Sequence, residues 1–358
     1  MVIKEMITQK IKRNRAFLTD LFTGRFQGHA LIMSPPGTVP PELGDFVLSS
    51  KPVAQWLPSA VANYRKQEEY LEILDDDNVP SVRALHTNTG IFAAAFGCKL
   101  HKYQEDVPAC ALPLVETPQD ADRLKEPDIY APPLDRAWNL ARAIRKELGP
   151  DVPICTPDIQ SPFDIAALIW KKEAMLMAMY DAPDAVMALV EKCNSLLKKF
   201  LMAFKKEFPE CNLVHCPVYW APPELGCSLS EDEAGSMSPE MFHKFCLPSL
   251  TDLSNSFGGF FMHCCATADH QYGEFKKIPN LRGLNRVFQA PGPGPAIEAF
   301  SGKTVLLMAW TSPERVVDML NMARPDTRFL FNFTGVSLEE GRNLLDQIKP
   351  LCKREQKG

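Results

Sequence analysis

What most limits the fold of this chain is an alternation. Eight short apolar runs, Ala30–Ser34, Val82–Thr87, Val152–Thr156, Leu213–Val218, Gly259–Cys264, Leu281–Val287, Thr304–Ala309 and Arg328–Phe333, are separated by helical text. Runs that are apolar at nearly every position fit strands buried on both faces, as in a parallel sheet. The connectors carry a different period. Between Pro132 and Leu148 the apolar residues Leu134, Trp138, Leu140, Ala141, Ile144 and Leu148 recur close to every 3.6 residues. Ser238-Pro239-Glu240 and Ser312-Pro313-Glu314 each put a hydroxyl at a helix cap and a proline in the first turn, and Ser337–Lys349 reads as a last helix. Eight strands alternating with helices predict an α/β fold, a (β/α)8 TIM barrel, in preference to a doubly wound open sheet. Residues 1–358 then form one barrel domain. Additional helices outside the ring are expected within residues 1–29, chiefly 4–22, and at 51–74.

A chain of 358 residues can bury such a core without covalent staples. Its 39 Lys and Arg against 44 Asp and Glu leave a net charge of −5, which gives no basis for binding nucleic acid or an anionic membrane. The apolar runs, Ile91–Cys98 and Thr304–Trp310 among the longest, fall far short of the roughly 20 residues of a membrane span. The first ten residues carry charges where a signal peptide would need an apolar core. A cytoplasmic location is therefore expected, and the 11 cysteines are expected to be reduced.

In a barrel, chemistry sits at the C-terminal ends of the strands. The polar residues there are Ser34 to Thr38, then His86, Thr87, Asn88 and Thr89, then Thr156, Asp158 and Gln160, then Tyr219 and Trp220, then His263, Cys264 and Cys265, then Trp310 and Thr311, and finally Asn332 and Thr334. The fifth end stands apart. Alternate residues of an extended chain share a face, so His263 and Cys265 point one way and Cys264 the other. An imidazole and a thiolate together suit zinc. His215-Cys216 lies within an apolar run, where packing is the simpler role. Asp75-Asp76-Asp77 closes a helix ahead of Asn78-Val79-Pro80 and reads as a solvated turn. The sequence holds no Gly-rich phosphate loop, nucleophile elbow or His-Glu-x-x-His helix.

From Lys12 to Gln347 the sequence resembles the uroporphyrinogen decarboxylase superfamily, which includes cobalamin-dependent methyltransferases. The resemblance is carried by Asn14–Gly24, Phe92–Cys98, Val152–Ala166, Ser238–Phe242 with Leu247-Pro248, and His263–Ala266, in that order and spacing. It implies a (β/α)8 barrel. It also separates two branches. The decarboxylases carry an arginine-rich segment after the first strand, but Met33–Thr38 has no arginine to grip a tetrapyrrole's carboxylates. The decarboxylase aspartate after the second strand is replaced in the region of Asn88, and Asn332-Phe-Thr-Gly335 lacks that branch's histidine. The methyltransferase branch carries His-x-Cys at the fifth strand, matched by His263 and Cys265. Its further cysteine at the eighth strand has no counterpart in Phe333–Val336. A third ligand would then come from Cys264, Glu231, Asp232, Glu233 or His86.

The resemblance thus implies methyl transfer between a cobalamin, carried as methylcobalamin on a corrinoid-binding protein, and a small-molecule methyl acceptor, a thiol or a folate. Zinc would activate the acceptor. Asn88, Asp158, Gln160 and Tyr219 are the candidate catalytic residues, and His263 and Cys265 the candidate metal ligands. A decarboxylase of a tetrapyrrole, or a barrel whose site serves only for binding, are the alternatives.

Overall fold

The computed structural model describes residues 2–352 and 354–356, apart from 38, 83–87, 105–106, 287–291 and 310–311. Six strands form one parallel sheet in the order Ala30–Ser34, Phe329–Thr334, Val305–Ala309, Leu281–Arg286, Phe260–Cys264 and Cys227–Ser230. Five of these are the long apolar runs of the sequence. Two further staves between Ala30–Ser34 and Cys227–Ser230 are irregular. The Asp77 N–H donates to the Leu31 carbonyl at 2.9 Å. Val82 bridges Ile154, with Val82 N–H to Pro153 O at 2.8 Å and Cys155 N–H to Val82 O at 3.0 Å. Ser230 N–H donates to Ile159 O at 2.9 Å, and Ser161 N–H to Ser230 O. Backbone bonds therefore run the whole way round, and eight staves make a barrel, as the alternation predicts.

The fourth stave differs from expectation. Leu213–Val218 is not a strand; only Asn212 beside it pairs, with Cys155. The regular part of this stave is Cys227–Ser230, which sequence patterning passes over. Its outward residues, Cys227 and Leu229, enter the helix-facing core, while the buried Ser228 and Ser230 alternate with them, in register with Phe261 and His263. A strand with serines on its inner face lacks the continuous apolar signature, and Pro217 denies Leu213–Val218 one ladder donor.

Two apolar layers hold the molecule. The larger lies between the sheet and the helices around it. The smaller fills the lower barrel, where Ala30, Ile32, Phe261, Val305, Leu307 and Leu330 meet Leu18, Leu21 and Phe22 of the helix Val2–Thr23. That helix closes the floor of the ring, with Phe22 edge-on to Phe261 at 5.1 Å. Helix Leu57–Ile73 packs against Val2–Thr23 and Leu134–Leu148. Antiparallel pairs Lys99–His101 with Cys110–Leu112, and Phe26–Gly28 with Arg354–Gln356, lie outside the main sheet. Among the described residues, no helix is long and apolar enough to cross a membrane.

The Asp75–Asp77 turn corrects a second expectation. Asp75 is exposed and pairs with Arg13 at 2.8 Å and with Lys349. Asp76 and Asp77 are only 2% exposed. Their carboxylates accept the Met33 and Leu31 N–H groups at 2.8 and 2.9 Å, in place of the carbonyls of a neighbouring strand. The backbone carbonyls of Asp76 and Asn78 in turn accept from the Asn14 amide. Burial pushes the Asp76 carboxyl up to about 7. A carboxyl raised in the folded state and ordinary in the unfolded one makes stability fall as pH rises from about 4 to about 7. Asp76→Asn keeps an oxygen for Met33 and removes this loss. Urea titrations should show the variant gaining on the wild type, by on the order of 2 kcal/mol, between pH 4 and pH 7.5.

Candidate active site at the barrel mouth

His263 occupies the fourth position of the strand Phe260–Cys264, one inward step above Phe261, where the core gives way to polar groups. Its register neighbours are Ser230 on one side and Asn285 on the other. The Asn285 amide nitrogen donates to the Leu307 carbonyl at 2.6 Å, which turns its oxygen toward His263 Nδ1, also at 2.6 Å. An acceptor there requires the proton on Nδ1, so Nε2 carries the lone pair. Burial lowers the His263 pKa, against the opposing pull of Asp232, and so favours the neutral ring. A neutral imidazole with a fixed tautomer is the ligand form of histidine.

His263 Nε2 lies 4.0 Å from Asp232 Oδ1. The Cys265 N–H donates to the same oxygen at 2.6 Å, and the donor atoms of Asp232, His263 and Cys265 all lie within 4.8 Å of one another. This is the only such group of three among the described residues. Partial burial of the sulfur, together with the Asp232 carboxylate, pushes the Cys265 thiol up to about 12. The set offers nitrogen, sulfur and oxygen, as zinc accepts. Tetrahedral zinc ligands are about 3.5 Å apart, so closure asks for side-chain movements of about 1 Å. Cys264 faces outward and is buried, with its thiol raised by that burial.

Asp232 is placed from behind. Asp164, near the start of the helix Pro162–Ile169, accepts the Asp232 N–H at 2.7 Å and the Glu233 N–H at 3.1 Å. Burial raises Asp164 to about 7, and burial with the Asp164 carboxyl beside it raises Glu231 well above its ordinary range.

The other predicted residues divide. Asp158 and Gln160 reach the mouth: Gln160 bridges to Ser230, its amide donates to Asp158 at 3.1 Å, and Asp158 lies 3.3 Å from His215 Nε2. His215 also acts on the His263 ring electrostatically, so it stands nearer the site than its place in an apolar run implies. Tyr219 does not join them. It packs in the lower barrel against Phe22 at 5.6 Å and Phe261 at 6.2 Å. Asn88 accepts the Gly90 N–H at 3.0 Å ahead of the helix Ile91–Ala95, a local role. His86, Thr87, Trp310 and Thr311 lie outside the described residues. Sequence reasoning passed over Asn285 and Asp164. The first could have been found as the one amide within the run Leu281–Val287.

Comparisons with known proteins bear on the family resemblance and on the fold. Residues 87–213 match the family model described as Uroporphyrinogen decarboxylase (URO-D), which bears out the resemblance read from the sequence. A solved structure, a methyltransferase from Methanosarcina mazei, superposes with a TM-score of 0.66 at 15% identity, covering 94% of this chain and 98% of that one. At that identity the likeness shows the fold. No curated protein matches the chain.

If Asp232 holds the Cys265 thiol in its protonated form, Asp232→Asn should lower that pKa. Alkylation of Cys265 by iodoacetamide at pH 8, followed by peptide mass spectrometry, should then run several-fold faster in the variant than in the wild type.

Proposed function

We propose that this chain is a methyltransferase that moves a methyl group from a methylated corrinoid, presented by a corrinoid-binding protein at the barrel mouth, to a small thiol bound beside zinc. The observation that carries the reading is the convergence of Asp232, His263 and Cys265, with the His263 lone pair turned toward the other two by Asn285. The fold match to a methyltransferase agrees with it. The decarboxylase alternative has less support, since Met33–Thr38 carries no arginine.

His263, Cys265 and Asp232 would hold the metal. Zinc bound there supplies the Lewis acidity that brings a thiol's pKa down to the neutral range. The rest falls to the chain's own residues. Asn285 keeps the His263 ring in one orientation and one tautomer. Asp158 and Gln160, beside the cluster on the neighbouring stave, offer a carboxylate and an amide to orient the acceptor's polar end. The lower barrel is filled by apolar side chains and closed by the helix Val2–Thr23, so donor and acceptor must both enter from the mouth. The same packing keeps water from reaching the site from below.

The test has two parts. Protein purified without chelators should contain about one zinc per chain, lost in His263→Ala and Cys265→Ala, and Asn285→Ala should weaken zinc about 10- to 100-fold. Because the free Cys265 thiol sits at about 12, zinc binding at pH 7 should release about one proton from it, and affinity should rise about tenfold per pH unit across neutrality. Calorimetry in buffers of different ionisation enthalpy reads this directly. Anaerobic incubation with methylcobalamin and a thiol should then convert methylcob(III)alamin to cob(I)alamin. Enzymatic coproporphyrinogen formation without demethylation of any corrinoid would replace this reading with the decarboxylase one.

A further inference from the structure

We infer that Asp164, a buried carboxylate outside the metal-ligand set, is the positioning residue that sets the geometry of the candidate site. The inference rests on the zinc reading above and extends it to a residue on a different element. Two stave ends bring the cluster together at the mouth: Asp232 follows Cys227–Ser230, and His263 and Cys265 lie on and just past Phe260–Cys264. The regular pairing between them stops there: Cys227–Ser230 ends at Ser230, Phe260–Cys264 ends one residue before Cys265, and the Glu231 N–H still reaches the His263 carbonyl, but the turn at Asp232 lies beyond the sheet. Asp164 supplies the tie.

Its own placement is firm. Ser161 caps the helix Pro162–Ile169 by accepting the Asp164 N–H at 2.8 Å, and the Ser161 N–H is bound to the Ser230 carbonyl. The side chain is 4% exposed and both its oxygens are used, one by the Asp232 N–H and one by the Glu233 N–H. The Glu231 N–H just before them is bound to the His263 carbonyl at 2.9 Å. Three successive N–H groups of one turn are therefore fixed, one by the strand that carries His263 and two by Asp164. With its backbone held, Asp232 directs its carboxylate to the Cys265 N–H at 2.6 Å. The order of dependence runs from Ser161 to Asp164, then to the Asp232 turn, then to Cys265. Removing the Asp164 carboxylate leaves two part-buried donors without their acceptor, and the turn must shift to satisfy them.

Asp164→Ala, Asp164→Asn and Asp232→Ala, with the wild type, are compared in three measurements. Zinc affinity, read by chelator competition, should fall at least tenfold in Asp164→Ala. The cobalt(II)-substituted Asp164→Ala protein should give the visible spectrum of Asp232→Ala, since both lose the same oxygen ligand. Cys265 alkylation needs no metal, and its rate in Asp164→Ala should match that of Asp232→Ala. Asp164→Asn, which keeps one acceptor oxygen, should fall between wild type and alanine in all three. Should Asp164→Ala not fold, by circular dichroism, the asparagine variant decides alone. Wild-type zinc affinity, cobalt spectrum and alkylation rate in a folded Asp164 variant would overturn the inference and leave the methyl-transfer reading standing. A wild-type protein that takes up neither zinc nor cobalt would overturn that reading; the alkylation rates would then judge the placement of Asp232 alone, and wild-type rates would remove that too.

Discussion

A backbone N–H that leaves water must find an acceptor, and in this barrel that demand is met in two ways. From Cys227 round through Phe329 to Ala30 the acceptors are the carbonyls of neighbouring strands. Across the remaining arc the staves are short, their carbonyls meet only part of the demand, and aspartates supply the rest. Asp76 and Asp77 accept from the first strand, and Asp164 accepts from the turn beyond the fourth. Each is buried, and burial raises Asp76 and Asp164 far above the ordinary carboxylate range. A desolvated carboxyl is a costly substitute for a carbonyl, tolerated because an orphaned donor costs as much or more. The irregular arc also lies beside the candidate site, which is where a barrel can gain most from turns that no ladder dictates.

The polar layer at the mouth follows from the same geometry. Strand residues point inward at every second position, so along Phe260–Cys264 the inward Phe261 lies in the apolar lower barrel while the next inward residue is His263, with Ser230 and Asn285 as its register neighbours. One step along the strand changes the medium from packed hydrocarbon to a hydrogen-bonded network. His263 sits at that boundary. It is buried enough to stay neutral and near enough to the opening to meet Asp232 and the exposed Cys265.

Much of this was legible in the sequence, for a physical reason. Strands such as Thr304–Ala309 are buried on both faces, and burial writes itself as continuous hydrophobicity. Alternation placed His263 and Cys265 on one side of the chain. What stayed hidden was wherever the environment reversed the usual sign. Cys227–Ser230 reads as loop because its inner face carries two serines. Asp75–Asp77 reads as a solvated turn because three acids in a row normally are one, yet two of them hydrogen-bond the first strand. Asp164 carries no signal in the sequence, because its two bonds to a distant turn follow only from the closed ring. Tyr219 follows its run in sequence, but the chain there dips to the floor against Phe22.

The floor has a consequence for how the chain is assembled. The helix Val2–Thr23 leaves the ribosome long before Phe261, Val305, Leu307 and Leu330, which complete the cover of its inner face. Until those strands emerge, Leu18, Leu21 and Phe22 have only part of their packing, from Ala30, Ile32 and later Tyr219. The helix therefore waits with its apolar face incompletely covered through much of synthesis, a state in which a nascent chain gains from a chaperone.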